Sequence, residues 1–141
     1  MNFLSRIFSI KKVPYLSWSS EYPLNRSPKA FTVLMLVIGL FLFGLGEAIL
    51  IASGSGVSPW TVLAQGISKM TNVSIGEATF LISISILLFW IPLRQIPGIG
   101  TILNVIIIAS AIDLTLPYLP HPENFLFKIL QASLGILVVG I

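Results

Sequence analysis

Residues 30–52, AFTVLMLVIGLFLFGLGEAILIA, contain one charged side chain, Glu47. As a helix this run is roughly 34 Å long at about 1.5 Å per residue, enough to cross a hydrocarbon layer with some tilt. A helix that is apolar on every side must be buried on every side, in a large core or in lipid. The rest of the chain offers no large soluble core. Of its 141 residues, 55% are apolar and 9% charged, against about 25% charged in an ordinary globular domain. Mean hydropathy is +0.98, which also excludes disorder. There is no cysteine, so disulfide and thiolate chemistry are excluded, and the single histidine, His121, cannot make a His-rich metal site. The composition specifies an all-α integral membrane protein, a polytopic transmembrane helix bundle.

The net charge of +3 and pI near 9.5 would suit a nucleic-acid binder if the charge formed a surface patch. Instead, five of the eight basic residues (Arg6, Lys11, Lys12, Arg26, Lys29) precede the first apolar run. A basic flank beside a span marks a cytoplasmic membrane edge, so the expected partner is the lipid bilayer and not nucleic acid. Residues 1–29 read as a basic cytoplasmic tail broken by Pro14, Pro23 and Pro28. Within it, Phe3, Leu4, Ile7 and Phe8 at helical spacing leave open a short interfacial helix.

Four spans are expected, at about 30–52, 75–91, 98–118 and 125–141, with one short helix at 59–70. Between the first two, Ser53 to Pro59 reads SGSGVSP; Gly54 and Gly56 break the helix, and Ser58-Pro59 has the form of an N-cap and first helical position. The helix so opened puts Trp60, Leu63, Ala64 and Ile67 on one face. It is too short to cross, hence interfacial or re-entrant. Ser74-Ile75-Gly76-Glu77 matches a capping box. Pro92 ends the second span, and the turn through Arg94 leads to Gly98 and Gly100. Gly44, Ala48 and Ala52, at i, i+4 and i+8, form a small-residue stripe suited to close helix packing. Basic residues in short loops place the N-terminus and Arg94 inside and Lys69 outside.

Two carboxylates, Glu47 and Asp113, lie within spans. A charge at mid-bilayer costs about 2.5–3.5 kcal/mol on insertion scales, so such residues face protein or a wet cavity. In this topology both lie near the outer ends of their spans, with Glu77 and Lys69 at the same edge. The expected polar site is therefore Glu47, Asp113, Glu77 and Lys69, serving a proton, a cation or a cationic substrate. A purely structural alternative stays open: Glu77 caps its helix, Glu47 snorkels to the interface, and Asp113 pairs with a hydroxyl or with Lys69. Asn104 is expected to hydrogen-bond across helices, Ser83 and Ser85 to bond back onto their own helix, and His121 to lie at the surface. No nucleophile–base pair, phosphate loop or metal-ligand cluster is recognisable, so no catalytic residue, enzymatic activity, cofactor or metal is expected.

The stretches GLFLFGLGEAILIASGSGVSPW and WIPLRQIPGIGTILN resemble the YczE/YyaS/YitT family of bacterial membrane proteins, closest to its YczE-like members. The matching positions are Gly44, Gly46, Gly54, Gly56, Ser58, Pro59 and Trp60, then Pro92, Leu93, Arg94, Gln95, Gly98, Gly100 and Thr101. The resemblance covers about residues 31–141. This chain departs from it at Ser55, where leucine is commoner, at Thr61, where an acidic residue is often found, and at Glu47, where the helix is usually apolar. The resemblance implies a multi-pass protein of the bacterial inner membrane with undefined molecular activity, with suggested roles in export or secondary-metabolite production. It also implies a longer protein with two similar halves. Gly39–Leu45 is echoed by Gly135–Ile141, which reads as one three-span repeat followed by the start of an inverted second one, truncated here. Inverted repeats of this kind occur in many secondary transporters.

The expected function is small-molecule transport or export, or half of such a device, completed by a second repeat or a homo-oligomer. The alternative is a non-catalytic membrane scaffold or accessory protein acting through helix–helix contacts. The first requires polar residues lining a cavity, the second filled and tightly packed helices.

Overall fold

The computed structural model describes residues 28–140, and their regular structure is helical throughout. The stretch Phe3–Phe8, read as a tail or an interfacial helix, lies outside the described residues. Helix α1 (Ala30–Ser53) ends where Gly54 turns left-handed, φ 63°, and donates its N–H to the Ile51 carbonyl. Gly56, at φ 147°, is the second position in this break that only glycine adopts without strain. Helix α2 (Pro59–Thr71) opens on the Ser58 N-cap with Pro59 in its first turn and closes at Asn72, φ 58°. Helix α3 (Ile75–Trp90) carries the complete capping box of Ser74 and Glu77. Helix α4 (Ile99–Thr115) begins after Gly98 and runs on as a 3-10 turn, Leu116–Tyr118, where Pro117 has no N–H to continue the ladder. Helix α5 (Phe125–Val139) is capped by the Asn124 side chain.

Two of the described helices are long and apolar enough to cross a membrane, α1 and α4 with its extension; a third crossing is reached if the bent pair α2–α3 is taken as one. This is fewer than the four spans expected from the sequence. The difference lies in α3, with 16 residues, and α5, with 15. Helix α3 ends ahead of Pro92 in a tight turn, where Arg94 takes φ 53° and donates its N–H to Ile91. Helices α2 and α3 meet at 112°, so α2 does not prolong α3.

Helix α1 packs along both α4 and α5; α4 packs in turn on α3, and α3 carries α2. The interior is built largely of small side chains: Ala48, Ala52, Ala64, Ala78, Ala109 and Ala111 are all buried. Lipid gives helices no hydrophobic reason to associate, so close van der Waals contact and polar bonds must do it. Gly44 allows the approach of α4: a Cβ there would stand 2.7 Å from the Ala111 Cβ and 3.0 Å from the Ile108 carbonyl oxygen. Gly46 does the same for α5, where a Cβ would come within 2.9 Å of the Val139 nitrogen and 3.0 Å of the Gly135 carbonyl oxygen. Leu88, Phe89, Ile91, Phe125 and Leu137 cover the outside and are exposed. Small residues within and large apolar ones without are the build of a membrane protein.

Two carboxylate sites

Glu47, Asp113, Glu77 and Lys69 do not form one site. Glu77 and Asp113 meet at the start of α3, Glu47 turns to the start of α2, and Lys69 is exposed and donates to none of the acids' hydrogen bonds. The direction in which each side chain leaves its helix separates them.

At the first site the Asp113 carboxylate accepts from the Ser74 hydroxyl at 2.5 Å and from the Gly76 N–H at 2.8 Å. Glu77 remains in its capping box, its Oε2 accepting the Ser74 N–H at 2.9 Å while its own N–H reaches the Ser74 oxygen at 2.9 Å. At the start of α3 the Gly76 N–H is thus met by Asp113 and the N-cap Ser74 N–H by Glu77, two carboxylates where a helix N-terminus favours negative charge. Gly76 makes this possible, since a Cβ there would fall on the Asp113 carboxyl group and the Ala109 carbonyl. Both Asp113 oxygens are occupied, as in a structural joint. Ser74→Ala is expected to destabilise the protein by about 1–2 kcal/mol, the usual cost of a lost N-cap, measurable as a shift in a detergent unfolding titration.

At the second site Glu47 is buried, 6% exposed, and turned into the bundle rather than snorkelling to the interface. Its Oε2 accepts from the Thr61 hydroxyl at 2.6 Å and lies 3.5 Å from the Ser58 hydroxyl. Ser58 and Thr61 are themselves 2.9 Å apart, and the Ser58 oxygen accepts the Thr61 N–H at 3.3 Å. Glu47 therefore sits on the N-terminus of α2 much as Asp113 sits on that of α3, with an N-cap serine in each. The difference is occupancy. Among the described residues Glu47 Oε1 accepts no hydrogen bond, and it is not a sealed atom. Glu47 also lines open space.

That space is a cavity of about 310 Å³. Its polar lining is Glu47, Ser58, Thr61, Thr79, Ser83 and Asn104, with Phe43 and Trp60 adding aromatic surface. A second cavity, about 410 Å³, shares Trp60, Ser83 and Asn104 with it and continues to Trp90 and Gly100. A third, about 430 Å³, lies beside Glu77 and Asp113. Ser83 and Ser85 donate to the carbonyls of Thr79 and Leu81 on their own helix. Asn104 is exposed and makes no side-chain hydrogen bond among the described residues; it lines the two adjacent cavities rather than bonding to another helix. His121 lies at the surface with Nδ1 3.2 Å from the Ala52 carbonyl oxygen, tying its loop to the end of α1. Of the turn residues, Gly100 lines a cavity, Gly98 caps α4, and Pro92 and Arg94 are exposed. Among the described residues no group of three His, Cys, Asp or Glu is placed to hold a metal. Thr61, Gly76 and Asn104's cavity position are the features that sequence reasoning missed; the N-cap serines beside each acid were the available signal.

Residues 30–141 match the family of unknown function DUF6198. An uncharacterized protein of Haemophilus influenzae is 36% identical over 131 residues, covering 93% of this chain and 59% of its own length. The uncharacterized protein YyaS of Bacillus subtilis is 29% identical over 108 residues, covering 74% of this chain and 54% of its own. The chain thus spans little more than half the length of these relatives. No solved structure matches it. With the family pattern running from α1 through α5, the chain belongs to the DUF6198 family of YyaS-like proteins.

Proposed function

We propose that this chain is the membrane-embedded, ligand-binding part of a small-molecule transporter or exporter of the bacterial inner membrane, without enzymatic activity or cofactor. In this reading α1, α3, α4 and α5 cross the bilayer, the N-terminus is cytoplasmic, and α2 enters the bundle from the outer edge. A second repeat or a second copy of the chain completes the device. One observation carries the proposal: a buried carboxylate that lines a cavity has one oxygen fixed by the start of a helix and, among the described residues, the other free of hydrogen bonds.

The position of α2 supports it. Trp60, at the start of α2, lines the same cavity as Ser83, which lies about 12 Å along α3 from Ile75 at about 1.5 Å per residue. The end of α2 meets the start of α3, so its beginning is the deeper end. A broken helix whose end points at a polar site within the bundle is a recurring build of secondary transporters. The scaffold alternative relies on small-residue stripes free to dock a partner. Here Gly44, Gly46 and Gly135 are spent on contacts inside the chain.

Flux of labelled small molecules into proteoliposomes tests the proposal. Glu47→Gln is expected to reduce flux at least about tenfold, the scale of one lost buried charge contact. Ser74→Ala is expected to lower it only in proportion to folded protein. Unchanged flux in Glu47→Gln would reject the assignment.

A further inference from the structure

Resting on the reading of the Glu47 cavity as a ligand site, we infer that its ligand class is an amphipathic organic cation, an ammonium head on Glu47 Oε1 with an apolar body along the groove toward Trp90. The head group is decided by the donor–acceptor balance of the lining. Thr79 donates its hydroxyl proton to the Ile75 carbonyl and Ser83 to the Thr79 carbonyl. Thr61 donates to Glu47 itself. These hydroxyls have spent their protons, so lone pairs are what they offer the cavity. Glu47 Oε1 is a further acceptor, and among the described residues Glu47 is the one ionisable residue lining either of the two adjacent cavities. An ammonium group brings donors and no acceptor, and complements such a wall. A carboxylate or phosphate would find donors in the Asn104 amide, the Trp60 and Trp90 indoles and the Thr101 hydroxyl, but no cation, and would meet the Glu47 carboxylate. Phe43 and Trp60 supply aromatic faces of the kind that attract cations.

The body is decided by the groove. Trp60, Ser83 and Asn104 belong to both cavities, which places the two side by side. Along α3 the lining extends from Thr79 to Trp90, about 16 Å at about 1.5 Å per residue. Beyond the shared residues the wall is chiefly apolar, with Ile86, Leu87, Trp90 and Val105. Asn104 lines both cavities and is exposed in a largely apolar helix. An unmet amide is costly in hydrocarbon, and a bound polar group relieves it.

The test uses the full chain in nanodiscs of zwitterionic lipid, titrated calorimetrically with methylammonium, octylammonium, octanol and octanoate, with partition into empty nanodiscs subtracted. Octylammonium is expected to bind at least about tenfold tighter than octanol or octanoate, and Glu47→Gln to remove that preference. In the unaltered protein, octylammonium but not octanol is expected to slow the modification of Glu47 by a hydrophobic carbodiimide, a readout that needs no variant to fold. Octanol or octanoate binding as well as octylammonium, with Glu47 still protected by each, would overturn the cation class and leave the cavity as a ligand site. Binding of methylammonium with exclusion of octylammonium would show the groove covered by protein and overturn the placement of the body. Absence of Glu47-dependent binding and protection with every probe would overturn the inference and the reading beneath it together.

Discussion

Gly76→Ala is expected to destabilise the bundle by about 2–4 kcal/mol. At an ordinary helical position the same change stabilises, because glycine costs about 1 kcal/mol relative to alanine in a helix; the sign of the effect is therefore diagnostic. The Cβ would fall on the Asp113 carboxyl group and the Ala109 carbonyl. Relief demands that α3 and α4 move apart, and overpacking of this kind costs about 1–3 kcal/mol. Separation also stretches the bonds from Gly76 N–H and the Ser74 hydroxyl to Asp113, each worth about 1.5–3 kcal/mol when the acceptor is charged. Gly66→Ala is the control, since nothing lies within 4 Å of a Cβ there. Unfolding of both variants in mixed detergent measures the difference. If Gly76→Ala is as stable as the parent, Asp113 does not dock on the start of α3. In combination with Ser74→Ala the two losses are expected to sum to more than the double variant shows, because both open the same joint.

Local signals carried much of the fold. The apolar run of α1, the Ser58-Pro59 start of α2 and the Ser74–Glu77 capping box are patterns within a few residues, and the helices begin where these patterns stand. The stop at Pro92 was legible too, but the close of α4 was not: Pro117 turns it into a 3-10 turn. The site was not legible in direction. The four ionisable residues stand near helix ends in the sequence, but each side chain leaves its helix at its own angle, and no spacing within one segment fixes how α1, α3 and α4 are rotated against each other. Asp113 went to Ser74, 39 residues away in sequence, and Glu47 to Thr61, 14 away. Glu47 and Thr61 are also two positions where this chain departs from the pattern it resembles, and they are bonded to each other, so the departures are one feature and not two. Gly135 stood out only as half of a sequence echo. In the fold it is the contact point of α5 on α1, where a Cβ would lie 3.1 Å from the Gly46 carbonyl oxygen.

Opposite signs are expected for two alanines on the same face-forming helix: Gly46→Ala destabilises by about 2–3 kcal/mol, while Gly39→Ala stabilises by up to about 1 kcal/mol. Gly39 has nothing within 4 Å of a Cβ, whereas at Gly46 the Cβ meets the Val139 side chain at 2.6 Å and its backbone nitrogen at 2.9 Å. Backbone cannot swing aside, so α5 must lift off α1. Gly135→Ala falls between the two, because its nearest neighbour is the Leu50 side chain at 2.8 Å, which has other rotamers to adopt. Unfolding titrations of the three variants in one detergent give the order directly. The order also bears on function. Helices that touch through glycine leave α1 no spare small-residue stripe at Gly46, and this is what weakens the scaffold reading against the ligand site at Glu47, one residue further on. Were Gly46→Ala to behave like Gly39→Ala, α5 would not be seated there, the stripe would be free for a partner, and the scaffold reading would regain the surface it requires.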